Sequence, residues 1–227
     1  MPKPQRITTP RHLDAAITGL LAADARFHAV LARTGKPPHR HRRSEGFEAL
    51  ISIVVSQQLS TAAADTIFAR LKQQITPFDP AAVLGADEAA LRACGLSAPK
   101  QKHIKAIASA ILEGTLDLAA IRTLGDDDAR AHLTAIKGIG PWTADIYLMS
   151  SLARADIWPV GDVALQAAIA RALKLRKRPD PKAMEKLSKR WRPWRTVAAR
   201  LFWMHEDGLR RERREALQKT KSKKGKA

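Results

Sequence analysis

The chain has 227 residues, 45% of them hydrophobic, and its 40 Lys and Arg against 22 Asp and Glu give a net charge of +18. That hydrophobic fraction supports a true core, and so large a basic excess points to a polyanionic partner. The length suits one substantial domain or two interlocked lobes, no shift in composition marks a linker, and no apolar run approaches the roughly 20 residues of a membrane span.

In chain order, residues 1–10 read as an N-terminal extension. Met1-Pro2-Lys3-Pro4 lacks the hydrophobic region of a secretory leader, so a cytoplasmic protein is expected. Helical periodicity then recurs over residues 13–33, 47–56, 60–73, 87–93, 99–113, 126–136, 141–152, 163–174, 181–190 and 193–207, with no strand signal between them. Breaks fall at Gly35 to Pro38, Pro77 to Pro80, Gly95, Gly114, Gly125, Pro159 to Gly161 and Pro179 to Pro181. An all-α fold over residues 11–208 is predicted, followed by a basic tail, 209–227, whose Lys, Ser and Gly content after Leu217 cannot build a core and is expected to be disordered. Residues 210–227 hold nine Lys or Arg and two Glu, which leaves +11 of the +18 in the body. There the clusters Lys36–Arg43 and Arg171–Arg178 lie within folded sequence.

The stretch from Leu133 to Leu165 carries the most chemistry. Apolar residues at helical spacing run into Lys137-Gly138-Ile139-Gly140, and a second helical pattern starts at Pro141. Two helices therefore meet at a tight turn. Gly138 and Gly140 permit positive φ and close backbone approach, and Pro141 suits the first turn of a helix, which needs no amide hydrogen there. Such a turn aims N–H groups outward, a seat for a phosphate, although a glycine turn between packed helices is commonly only a cap. Further on, in Asp156-Ile157-Trp158-Pro159-Val160-Gly161-Asp162, proline and glycine break the helix and Asp162 takes the N-cap position of the run Val163 to Leu173. A carboxylate there is stabilised as an anion by the helix dipole and amide hydrogen bonds, and a fixed anion can stabilise a nearby positive charge.

These blocks resemble the helix-hairpin-helix (HhH-GPD) superfamily of DNA glycosylases, and most nearly its alkylated-base branch, DNA-3-methyladenine glycosylase II, in which KGIGPWTA is followed by a D-x-x-P-x-x-D segment. Two further blocks resemble the DNA-facing segments of that family. They are Gly46 to Leu50 leading through Ile53 to Ser60, and Gly95-Leu96-Ser97 with Lys100 and Ile104. The resemblance implies a two-lobed helical fold with the active-site cleft between the lobes, acting as a monomer on double-stranded DNA that contains alkylated bases, in the cytoplasm at the nucleoid. Cys94 is the only cysteine, so the four-cysteine cluster of the endonuclease III branch is excluded, and Cys94 is expected as a small buried apolar residue.

The resemblance also implies roles. Gln57, Gln58 and Leu59 form the loop from which Gln58 or Leu59 wedges into the stack, and Ser97, Lys100 and Lys137-Gly138-Ile139-Gly140 contact the backbone. The target base is flipped out, which costs a few kcal/mol, less for a damaged pair. Asp162 then stabilises the oxocarbenium character of the sugar and orients or deprotonates water. An alkylated purine already carries positive charge and departs without a proton donor, so one carboxylate suffices. Its cation suits an aromatic face, for which Trp142 leads, with Trp158, Trp203 and Tyr147 as further candidates. Ile146 stands where the pocket of the larger enzymes of this branch has a tyrosine. Trp191 and Trp194 read as packing residues.

Other chemistries have little support. His39-x-His41 offers no paired Cys or carboxylate ligands, and no phosphate loop or Ser/His/Asp arrangement is present. No metal and no organic cofactor are expected, apart from a monovalent cation that the resemblance places on backbone carbonyls around 137–140. Two alternatives stay open: a non-catalytic DNA-binding hairpin protein, and a bifunctional glycosylase/lyase. The relatives that cut the strand carry a lysine two residues past the last hairpin glycine, where this chain has Trp142.

Overall fold

The computed structural model describes the backbone of residues 5–39 and 44–224, with side chains to Ala216 and at Gln218. Arg40 to Arg43, and with them half of the basic cluster and His41, lie outside the described residues. The described chain is helical. It forms α1 (Pro10–Ala23), α2 (Phe27–Thr34), α3 (Phe47–Ser56), α4 (Thr61–Gln74), α5 (Pro80–Gly85), α6 (Glu88–Ala93), α7 (Ala98–Leu112), α8 (Leu118–Ile121), α9 (Asp126–Thr134), α10 (Pro141–Ser150), α11 (Val163–Ala172), α12 (Pro181–Ser188) and α13 (Arg195–Lys224). Among the described residues there is no strand, only an isolated antiparallel bridge between Arg6 and Arg154. Two compact units are interleaved along the chain.

The first unit, Met1–Arg6 with Arg40–Ile157, holds α3 to α10. Its centre is α3, where every side chain from Ala49 to Val55 is buried; a helix apolar all round can only be a core helix. It packs against α4, α7 and α10, while α9 pairs with α10. Arg130 ties that pair together, donating to Asp145 at 2.8 Å and to Asp127 at 3.0 Å. Residues 5 and 6 belong to this unit: the N–H of Ala155 donates to the carbonyl of Gln5 at 2.9 Å. Arg154, fully buried, closes the 121–126 loop by donating to the carbonyls of Ile121 and Leu124 and to Asp126.

The second unit, Ile7–His39 with Trp158–Ala227, holds α1, α2 and α11 to α13. α13 packs against α1, α2 and α11. Trp191 is the hub of an aromatic cluster, with Phe27, Trp158 and Phe202 at centroid distances of 5.5, 5.3 and 5.3 Å. Trp194 lies over Gly19, where a Cβ would come within 2.5 Å of its indole Nε1. Buried Glu206 receives Arg171 from α11 and Arg210 from its own helix; burial alone would raise its carboxyl, but these hydrogen bonds outweigh that and hold it below the usual range.

Three boundaries differ from the sequence expectation. The single helix over 13–33 is broken at Asp24, whose extended backbone lets its carboxylate accept from the N–H and guanidinium of Arg26 and from the Trp191 indole at 3.1 Å. The short helices α5 and α8 escaped the periodicity because six and four residues are too few to show it. The helix expected to end at residue 207 continues to Lys224, through the stretch expected to lack structure. Leu, Arg, Glu, Ala, Gln and Lys are strong helix formers, and Arg33 of α2 pairs with Glu212 at 2.5 Å.

Candidate functional site

In the first unit, α9 ends at Thr134 and α10 begins at Pro141, so residues 135–140 form the expected hairpin. Gly138 has φ +95, and a Cβ there would lie 2.5 Å from the Cβ of His103 on α7. Both the backbone and the neighbour therefore demand glycine. Gly140 differs from the expectation: its φ is −82, and nothing lies within 4 Å of where a Cβ would stand. It is the N-cap of α10 and supplies no side-chain oxygen, so no side chain caps the amides at this helix start. Lys137 is exposed. Ile139 has a buried side chain, so any contact it makes with a ligand runs through its backbone.

The carbonyl oxygens of Ile136, Gly138 and Gly140 accept from the N–H of Ile139, the side chain of Gln57 and the N–H of Ala144. Each keeps a second lone pair. Neutral oxygens of this kind suit a hard, weakly bound monovalent cation, and the carbonyls of this turn would be its holders. Among the described residues no group of three His, Cys, Asp or Glu could hold a metal ion.

The loop after α3 is built around two side chains that the sequence assigned to DNA. Gln57 donates to Thr143 at 2.8 Å and to the Gly138 carbonyl at 3.4 Å, so it braces the hairpin from below. Lys100 donates to the carbonyls of Val55 at 2.6 Å and Gln57 at 2.8 Å, capping the C-terminus of α3. Burial pulls its ammonium below the ordinary lysine range. These are corrections: the carbonyls at the end of α3 already engage the Lys100 ammonium, and Thr143 engages the Gln57 amide. Gln58 and Leu59 are exposed, Leu59 by 40%, and Gln58 adopts φ +56, a left-handed conformation uncommon for a side-chain-bearing residue. Ser97 is exposed and makes no capping hydrogen bond to α7.

Of the aromatic candidates, Trp142 at the start of α10 and Trp203 on α13 are half-buried and keep accessible surface. Tyr147 and Trp158 do not, and their pocket roles are corrected. Tyr147 is 1% exposed, its phenol oxygen accepts from the Gly46 N–H at 3.2 Å, and burial raises the phenol above its usual range. Trp158 is consumed by the aromatic cluster around Trp191. An aromatic residue in a loop gives no sign in sequence of which way its ring turns.

In the second unit, Asp162 is the N-cap of α11, with its Oδ1 accepting from the Leu165 N–H at 2.6 Å. The preceding loop is held by Gln166, which donates to the Val160 carbonyl at 2.9 Å. Asp162 is 8% exposed. Next to it Val163 is 58% exposed, an apolar surface beside the carboxylate that sequence reading passed over as the first residue of an amphipathic helix.

Residues 51–193, from the middle of α3 to the turn before α13, match the family model of the HhH-GPD superfamily base excision DNA repair proteins. The chain belongs to the HhH-GPD superfamily. That match spans Gln57 to Leu59, the hairpin and Asp162. Among HhH-GPD relatives, DNA-3-methyladenine glycosylase 1 of Schizosaccharomyces pombe is 34% identical over 74% of this chain and 75% of its own length. The solved structure of a 3-methyladenine DNA glycosylase from that yeast in complex with abasic DNA superposes with a TM-score of 0.77 at 33% identity, covering 83% of this chain and 95% of that one. A DNA-3-methyladenine glycosidase of Bacillus halodurans gives 0.71 at 29% identity, covering 89% and 91%. The all-α, two-unit architecture is thus the HhH-GPD fold.

Proposed function

We propose that the chain is a monofunctional DNA glycosylase that flips alkylated purines, of the 3-methyladenine and 7-methylguanine kind, out of duplex DNA and hydrolyses the N-glycosidic bond. The observation that carries this reading is Asp162, fixed by one carboxylate oxygen at the start of α11 in a chain 34% identical to a DNA-3-methyladenine glycosylase. One oxygen of the carboxylate is engaged with the Leu165 amide. The carboxylate stabilises positive charge developing at C1′ and orients the attacking water, a task worth several kcal/mol in a preorganised setting. Trp142 offers its ring to the cationic base. Because Trp142 has no amine to form a Schiff base, water is the nucleophile and the product is a free base and an intact abasic strand. The hairpin and the Gln58-Leu59 tip hold the phosphates and fill the gap left by the base, and the protein works as a monomer.

The test is incubation with methylated duplex and chromatography of the released bases. Free alkylated purine, with strand nicking only after alkali, supports the proposal. No base release from any of a panel of single-lesion duplexes would leave a DNA-binding hairpin protein, and a covalent adduct trapped at high yield by borohydride would make it a lyase.

A further inference from the structure

His103 has no place in the mechanism above. It stands on α7 with its Cβ and Cγ packed under Gly138, and it lines a concavity with Gln57, Thr134, Lys137, Gly138 and Gly140. Its Nδ1 is sealed from solvent and has no hydrogen-bond partner. A buried N–H without an acceptor is costlier than a bare lone pair, so the ring keeps its proton on Nε2, the nitrogen left open to the concavity. That nitrogen is then a donor and cannot be an acceptor. Beside it Lys137 brings a cation, and no carboxylate is among the described lining residues of the concavity.

We infer that His103 is a DNA-contacting residue, whose Nε2–H donates to a backbone phosphate held at the hairpin. The contact positions the duplex and carries no base information, so it acts on affinity for damaged and undamaged DNA alike. Its tautomer is set by the dry side of the ring, which makes the imidazole a preorganised donor next to Lys137. The inference rests on the DNA glycosylase reading, and base release by the wild-type protein from the same preparation tests that reading separately.

The experiment uses the full chain with a duplex containing an abasic analogue. His103→Phe keeps the ring under Gly138 and removes the donor. It is expected to weaken binding about tenfold, the size of one hydrogen bond to a charged group, while the single-turnover rate at saturating protein stays within about twofold of wild type. A scan of single methylphosphonates along the strand should then show one phosphate whose neutralisation weakens the wild type distinctly more than it weakens His103→Phe. An unchanged affinity, or a loss of affinity with the same methylphosphonate profile as wild type, overturns the inference. Should His103→Phe fold poorly, the ring ¹⁵N shifts of the wild-type protein decide. A proton on Nε2 only, with a shift on adding duplex, upholds it; a proton on Nδ1, or no response to duplex, overturns it.

Discussion

Lys100 reaches from α7 to the end of α3, where its ammonium donates to the carbonyls of both Val55 and Gln57. The Gln58-Leu59 tip follows directly, so the exposed loop starts from a helix end fixed by a half-buried cation. Replacing Lys100 with Met leaves two carbonyls without their donor. The expected loss is about 1–3 kcal/mol, read as a lower urea midpoint, with a further drop in duplex affinity as the tip loosens. An unchanged midpoint would show that water replaces the lysine without cost.

Asp162→Asn separates charge from capping. Asparagine caps a helix as well as aspartate does, so stability should stay within about 0.5 kcal/mol. Base release should fall by about a hundredfold or more, while duplex affinity is kept. Activity near that of wild type would remove Asp162 from the reaction.

The two hairpin glycines should respond differently to alanine. Gly138→Ala meets both a left-handed backbone and the Cβ of His103 at 2.5 Å, and should cost about 2–4 kcal/mol in a thermal or urea melt. Gly140→Ala meets neither obstacle. Its methyl should leave stability within about 0.5 kcal/mol and, by standing on the open side of the turn, weaken duplex binding.

Asp24 gives a pH signature. The Arg26 guanidinium, aided by the Trp191 indole and opposed by desolvation, holds its carboxyl down to about 2 from an ordinary 3.8. A depressed folded pKa contributes stability that is present above the unfolded value and is lost as pH falls through the folded one. Asp24→Asn should therefore be less stable than wild type by roughly 1–2 kcal/mol at pH 7, and the gap should close between about pH 3.8 and pH 2. A gap that persists at pH 2 would assign the loss to packing around Trp191.

The hairpin was legible in the sequence to within a residue or two, because glycine and proline report on the backbone itself, and Asp162 was legible as an N-cap because capping is local. The helical class followed from periodicity. What stayed hidden was what each long side chain reaches. Lys100 looks like any basic residue near a turn until Val55, 45 positions earlier, is brought to it. Tyr147 and Trp158 sit in plausible pocket segments, yet both are buried, and their partners Gly46 and Trp191 are connected to them by no local pattern. The break at Asp24 was hidden for the same reason, since an alanine-rich stretch continues helically unless a distant indole engages the carboxylate.

The interleaved chain path also sets an order of assembly. α1 and α2 leave the ribosome before the rest of their unit, since α11 and α13, on which that unit depends, lie beyond residue 158. At about 5–20 residues per second the wait is on the order of 10 s. During it α1, whose Leu13, Ile17 and Leu20 are buried in the finished fold, lacks α13 and the turn at Lys189–Trp191 against which it packs. The contiguous stretch Arg40–Ile157 is complete well before then. A nascent chain whose α10 has cleared the ribosome thus carries an assembled hairpin while α1 and α2 are still open to chaperones, and translation speed over residues 158–202 governs how long that exposure lasts.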